Sequence, residues 1–283
     1  MKNLIKTFLK KITYLIVSII QKFKVGVYFL ELLNINISNI ILKSPEKKTN
    51  LKFYCPNRVN KFRIESFFTK EPETLDWINS FKNNSVFFDI GANIGLYSCY
   101  AADQRNCKVI AFEPSVFNLD LLSKNVYLNS LSKNVTIVPI PMSNETKVAE
   151  FNMSNTTPGG AISTFGENYI HDGSEMNKVF KYNIPGTTID NAISFFKLPE
   201  PDYIKIDVDG IEHLILEGIT NTFQNVKSIL VEVNDKFEKQ NKNVKKILED
   251  NGFVMKLKLQ SDIVASSPNT KVTTIYNQIW EKR

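Results

Sequence analysis

The 283-residue sequence has only three cysteines and two histidines, no acidic residue before Glu31, and no long unbroken apolar run. The best candidate for a membrane span, Ile12 to Ile20, is about half the roughly 20 residues that a bilayer-crossing helix needs. It is not expected to span, and no A-x-A-like cleavage site follows it to suggest a secretory signal. Cys55, Cys99 and Cys107 are odd in number and widely spaced, which excludes close-paired zinc ligands and a disulfide framework. They suit a reducing cytoplasm. Cys99 and Cys107 lie among apolar neighbours, as small packed residues do and nucleophiles do not. Internal repeats and low-complexity tracts are absent.

What is present begins with charge. Lys2, Lys6, Lys10, Lys11, Lys22 and Lys24 precede the first acid, and removing these six from 35 basic residues leaves 29 against 29 acidic ones. The body is therefore neutral and the whole net charge of +6 resides in residues 1–24, which argues against a broad basic face for nucleic acid. The basic, apolar segment KKITYLIVSIIQKFK is expected either to pack on the body, the preferred reading, or to rest on an anionic membrane surface as a peripheral contact.

Residues 1–84 read as an N-terminal appendage: the basic helix, a polar break at SPEKKTN, an extended stretch at LKFYC, and KEPETLDWINSF. In that last segment Pro72 suits a first helical turn, while Leu75, Trp77, Ile78 and Phe81 give an inward face toward the main sheet. From Val86 onward, in residues 85–283, short apolar runs alternate with helical segments. This is the pattern of an α/β domain, a parallel sheet with helices on both faces. The strands are expected at VFFDI, KVIAFEP, NVTIVPI, DYIKIDV and SILVEVN, with VFNLDLLSKNVYLNS a helix between the second and third. Residues 153–183 read as a long irregular insert, and GFVMKLKL with KVTTIYNQIW as a closing antiparallel hairpin.

In such a sheet, ligands sit beyond the carboxyl ends of the strands near the point where strand order reverses. The loop D-I-G-A-N-I-G follows the first strand there, and side chains at Gly91 or Gly95 would block a ligand from the backbone. Its spacing is not G-x-G-x-x-G: Asn93 stands where the second glycine of a dinucleotide site would admit a pyrophosphate. Glu113, ending the second strand, can accept hydrogen bonds from both hydroxyls of a ribose. Asp89 can orient the loop and bind an ammonium. A nucleoside with a zwitterionic amino-acid tail and no phosphate fits these groups.

KEPET, FFDIGANIGLYS, AFEPS, PIPMSN, TTIDN and YIKIDVDGIEHLILEG, in that order from Glu71 to Val233, resemble the FkbM family of class I S-adenosylmethionine-dependent methyltransferases. The resemblance implies a Rossmann-like, seven-stranded, mostly parallel sheet with an antiparallel C-terminal strand. It also implies S-adenosylmethionine as cofactor and methyl transfer to a hydroxyl of a carbohydrate, glycan or related small molecule. By the same resemblance Asp89, Gly91, Asn93 and Gly95 line the methionine end, Glu113 takes the ribose, Ser143 lies near the adenine, Glu71 reaches the pocket from the appendage, and Ala92, Pro114 and Asp207 also belong to the cofactor site.

DYIKIDVDGIEHL places Tyr203, Lys205, Asp207 and Asp209 on one side of a strand by period-two alternation, with Ile204, Ile206 and Val208 on the other. Buried acids and a lysine must pair or sit at an open end. A Lys205–Asp207 ion pair and a direct catalytic role are both open readings. Asp207, Asp209 or Glu212 can serve as base with Lys205 tuning them, and His213 is a second choice by its ordinary pKa. Glu212 also suits a helix N-terminus. These acids with Glu232 can gather a divalent ion, but an acidic pocket without metal is the favoured reading. Relatives often carry glutamate where Asp209 stands, which leaves its reach open.

Three other functions compete. A nicotinamide oxidoreductase shares the sheet and the ribose acid but lacks its middle glycine. A nucleic-acid methyltransferase conflicts with the neutral body and the missing Asn-Pro-Pro-aromatic motif. A membrane-surface interaction protein would use the basic helix and retain the sheet as scaffold. The insert, with Phe165, Tyr169 and His171, is expected to cover the pocket and select the acceptor.

Overall fold

The fold is that of a computed structural model, which describes residues 2–23, 26–37, 39–41, 49–260, 265 and 274–283. Lys24, residues 44–48 of the expected polar break and residues 271–273 of the last expected strand lie outside the described residues.

Two helices open the chain, α1 (Lys2–Lys22) and α2 (Gly26–Ile37). A short antiparallel pair follows, β1 (Asn39–Ile41) with β2 (Lys52–Tyr54). Then come α3 (Arg58–Glu65), α4 (Phe67–Lys70) and α5 (Pro72–Asn79), the last with Pro72 in its first turn. The expectation that the basic helix packs on the body does not hold. Most of its described side chains are exposed, and its neighbour is α2. No described residue of α1 belongs to either apolar cluster of the body.

The main sheet is built from β3 (Val86–Ile90), β4 (Lys108–Phe112), β5 (Val135–Val138), β9 (Tyr203–Ile206), β10 (Ser228–Asn234), β11 (Phe253–Leu259) and β12 (Ile275–Lys282). Its order is β11-β12-β10-β9-β3-β4-β5, and β12 runs antiparallel to both of its neighbours. The class I methyltransferase arrangement implied by the resemblance is therefore present. β12 does more than close a hairpin with β11, because it also separates β11 from β10.

Alternation along the strands divides two apolar layers. Phe87, Val109 and Leu230 face one cluster, where Trp77, Ile78 and Phe81 of the α5 region also pack; Phe88, Ile110 and Ile229 face the other. Leu51, Phe53 and Phe67 belong to the first cluster too, so residues 51–81 are a covering layer of the same core. The helices α6 (Leu96–Arg105), α7 (Val116–Leu128), α8 (Ile189–Phe196), α9 (Glu212–Glu217) and α10 (Glu238–Asp250) complete the α/β wrapping.

The insert is less irregular than the sequence suggests. β6 (Lys147–Met153), β7 (Ser163–Phe165) and β8 (Phe180–Gly186) form a three-stranded antiparallel sheet in the order β7-β6-β8. Turn formers conceal it: the short β7 lies between stretches rich in glycine, asparagine and serine, and has no room for a visible alternation.

Candidate active site

The chain reverses strand order between β3 and β9, so the loops leaving these neighbours bound a crevice. Two cavities occupy it. One, of about 410 Å³, lies between the loop after β3, the α3–α5 layer and the C-terminal strands. The other, of about 60 Å³, lies between that loop, Glu113 and β7. Gly91, Asn93, Ala161, Asp207 and Asp209 line both.

The glycines have a structural role different from the expected one. Gly91 has φ +85°, and a Cβ there would come within 1.9 Å of the Asp207 carbonyl oxygen. Gly95 has φ +83° and abuts Leu122, where a Cβ would lie 2.4 Å from Cδ1. What the absent side chains admit is therefore the neighbouring chain at Gly91 and helix α7 at Gly95, and Gly95 lines neither cavity. Gly91 and Ala92 line the larger one.

Asn93, at φ +51°, joins the loop to the next strand: its N–H donates to Glu113 Oε2 (2.8 Å) and its Nδ2 donates to the Gly160 carbonyl (2.9 Å). Its Oδ1 is buried without a partner. Glu113 also accepts from the Ser115 N–H (2.8 Å), and burial pushes its pKa up to about 7 despite these bonds. Pro114 lines the same small cavity, as do Phe112, Met142 and Phe165. Ser143 does not; it is buried, its N–H donating to the Thr187 carbonyl (2.8 Å), while the preceding Pro141 and Met142 face the space.

Asp89 does not reach either cavity. It is buried behind the loop, accepts from Ser98 Oγ (2.5 Å), and stands opposite Lys205 in the β3–β9 register. Burial raises its pKa, while the Lys205 charge opposes that rise. Asp89 thus orients the loop through Ser98 on α6, and its Oδ1 is buried without a partner.

Lys205 is buried in mid-strand and donates to Asp207 Oδ2 (2.7 Å), so the ion pair offered by the sequence is present. Its ammonium also lies 5.0 Å from the Tyr97 ring centroid. Burial disfavours this charge, but Asp207, Asp89 and Glu71 outweigh it and raise the pKa. Glu71 accepts from Tyr97 Oη (2.6 Å) and pairs with Lys70. Burial would raise Glu71, yet the Lys70 and Lys205 ammoniums hold it down at about 2. Glu232 also lines the large cavity, and burial followed by the Asp207 and Glu71 charges raises its pKa well above the carboxylate range.

The alternation ends before Asp209. β9 stops at Ile206, Asp209 has φ +65°, and its Oδ2 accepts from the Ile162 N–H (2.6 Å). A turn therefore brings it to both cavities, where burial and then the Asp207 charge raise its pKa. Glu212 and His213, two of the candidate bases, line neither cavity. Glu212 Oε1 accepts from the Val208 and Gly210 N–H groups (3.0 and 3.1 Å), and its other oxygen accepts from Gln240. It ties the loop to α10. His213 is fully buried with its ring against Phe237, and burial, reinforced by Lys239, lowers its pKa to about 4. Helix phase turns it into the core. Among the described residues, no group of three His, Cys, Asp or Glu side chains is arranged to hold a metal ion.

The histidine that does line the large cavity is His171, from the insert, buried with Nε2 unpartnered. Phe165 lines the small cavity, whereas Tyr169 packs on Phe237 instead. Sequence reasoning missed Arg63, Lys70, Tyr97 and Asn277, all on the large cavity. Lys70 begins KEPET next to Glu71 and Tyr97 lies in FFDIGANIGLYS, so adjacency in sequence is a signal for both. Arg63 and Asn277 had none, since long-range packing brings them in.

Residues 89–255 match the family described as the methyltransferase FkbM domain. The chain belongs to the FkbM family. Among relatives, the hexuronic acid methyltransferase AglP of Haloferax volcanii is 27% identical over 154 residues, 54% of this chain and 57% of that protein. The FkbM chain described here thus matches little more than half the length of AglP. Methyltransferase sdnD of Sordaria araneosa is 23% identical over 238 residues, 75% of this chain and 90% of that one. A solved FkbM methyltransferase from Methylobacillus flagellatus aligns with TM-score 0.51 at 14% identity, covering 79% of this chain and 52% of the other, a likeness of fold.

Proposed function

We propose that this chain transfers a methyl group from S-adenosylmethionine to a hydroxyl of a carbohydrate or glycan-type acceptor. The observation that carries the reading is the junction of the two cavities at Asp207 and Asp209, beyond the carboxyl ends of β3 and β9. A donor whose nucleoside takes the small cavity and whose amino-acid tail crosses this junction would present its methyl group to an acceptor in the large one. The family and the carbohydrate acceptor in the name of AglP favour the reaction and substrate class.

The residues fit the cofactor. The unpartnered Asn93 Oδ1, the ionised Glu71 and the nearby Lys70 and Lys205 ammoniums match a zwitterionic tail. Glu113 retains lone pairs for ribose hydroxyls, and Phe112, Met142 and Phe165 offer apolar contact for a base. When bound, S-adenosylmethionine supplies an electrophilic methyl group on a sulfonium. Gly160 and Ala161 line the small cavity, so the segment that carries them bounds the path by which a nucleoside would enter.

For the reaction we assign Asp209 as base: it lines both cavities, and burial followed by the Asp207 charge raises its pKa and so its basicity. Lys205 holds Asp207 fixed beside it. His171 and Glu232 lie on the acceptor side, where a polyhydroxyl compound finds hydrogen-bonding partners. Positioning supplies much of the rate, because the sulfonium is already a strong methyl donor.

Calorimetric titration with S-adenosylhomocysteine tests the cofactor: wild-type protein that does not bind it sinks the proposal. Labelled methyl transfer into a glycan extract tests the chemistry. Asp209→Asn is expected to lose about 10²- to 10⁴-fold in turnover while keeping its affinity for S-adenosylhomocysteine. Unchanged turnover would remove the base assignment.

A further inference from the structure

The helices α1 and α2 carry a large apolar surface that the body leaves uncovered. On α1, Ile5, Phe8, Ile12, Leu15, Ile16 and Ile19 recur at helical spacing on one face and are each 38–63% exposed. Lys6, Lys10, Lys11 and Lys22 are exposed off that face. On α2, Val27, Leu30 and Ile35 are more than half exposed. Soluble monomers rarely leave so much contiguous apolar surface without a partner.

Charge selects that partner. The first acid of the sequence is Glu31, so α1 carries only positive side chains. A second copy of the same helix would set lysines against lysines. An anionic lipid surface satisfies both halves of the helix, with the apolar face in the acyl boundary and the ammoniums among the headgroups. Among the described residues no helix is long and apolar enough to cross a membrane, so a helix lying in the interface is the geometry available.

We propose that α1 and α2 dock the protein on an anionic bilayer surface. The inference is independent of methyl transfer, since it rests on none of the cavity residues. Full-length protein is sedimented with phosphatidylcholine vesicles, with and without phosphatidylglycerol. Binding is expected only with the anionic lipid, and should fall at least about tenfold when salt rises from about 0.1 to 1 M and the screening length shrinks from about 10 to 3 Å. Lys6→Glu/Lys10→Glu/Lys11→Glu is expected to weaken it about a hundredfold, and Ile12→Asp/Ile16→Asp to abolish it. Both variants should keep the thermal midpoint of the body, because α1 contributes nothing to the core. Three results overturn the proposal: no binding to either vesicle, equal binding to both, or a dimer by sedimentation velocity that the Ile12→Asp/Ile16→Asp variant dissolves.

Discussion

Burial raises Glu113 and Glu212 from about 4.5 to about 7. A carboxyl with a raised native pKa holds more protons folded than unfolded. The stability it contributes is complete below about 4.5 and lost by about 7, up to roughly 3 kcal/mol each. Glu71 and His213 act in the opposite sense: the Glu71 window lies between about 2 and 4.5, while that of His213, between about 4 and 6.5, offsets part of the glutamates' change. The thermal midpoint of the ligand-free protein is therefore expected to fall by several degrees as pH rises from about 5 to 7.5. Glu212→Gln should flatten that slope; an unchanged slope in both Glu212→Gln and Glu113→Gln would refute it. If Glu113 grips ribose, S-adenosylhomocysteine should bind more tightly as pH rises through 7, and Glu113→Ala should lose roughly ten- to a hundredfold in affinity. Lys205 is the counterpart. Lys205→Met leaves Asp207, Asp89 and Glu71 without their shared cation, and urea unfolding should record a loss of about 3–5 kcal/mol.

The element with the most consequence for ligand entry is the segment between β6 and β7. Pro158 presents its carbonyl to Asn57 and Asn60 (2.8 and 2.9 Å), Gly159 accepts from Arg63 Nε (2.8 Å), and Gly160 accepts from Asn93 (2.9 Å). The segment is thus held from outside by α3 and from inside by the glycine loop, across the small cavity. Gly159, at φ +80°, lies so close to Asn60 that a Cβ would fall 2.1 Å from Oδ1. Breaking the outer hold with Asn60→Ala removes about 1 kcal/mol of closure, and stopped-flow mixing with S-adenosylhomocysteine should show association about fivefold faster. Equal rates would mean that this segment does not gate the cavity. Binding should also slow hydrogen exchange at residues 157–162 as new contacts replace the present ones.

At the scale of the whole molecule, the large cavity draws its walls from the α3–α5 layer, the β3 and β9 loops, the insert and the last strands. Every layer must be in place for it to exist. Trp280, buried on β12 and donating from Nε1 to Gln278 (3.1 Å), lies in the apolar cluster opposite the α5 layer. Trp280→Ala is expected to cost about 3–5 kcal/mol, lowering the thermal midpoint by about 10 °C or more, and to weaken S-adenosylhomocysteine binding through displacement of Asn277 on the same strand.

Much of this was legible in the sequence because it is local. Short apolar runs located β3, β4, β5, β9 and β10, Pro72 marked the start of α5, and the D-I-G-A-N-I-G turn with F-E-P located the crevice. Those signals arise from neighbours along the chain, and burial on both faces of a parallel sheet leaves little freedom in reading them. Only the tertiary structure decided which charged side chains face the cavities. It turned His213 inward, spent Glu212 on backbone amides, brought Asp209 round a turn, set Asn277 and Arg63 on the wall of the large cavity, and left α1 uncovered. Apart from the Glu212 bonds to Val208 and Gly210, those outcomes depend on packing between segments distant in the chain, which no local periodicity encodes.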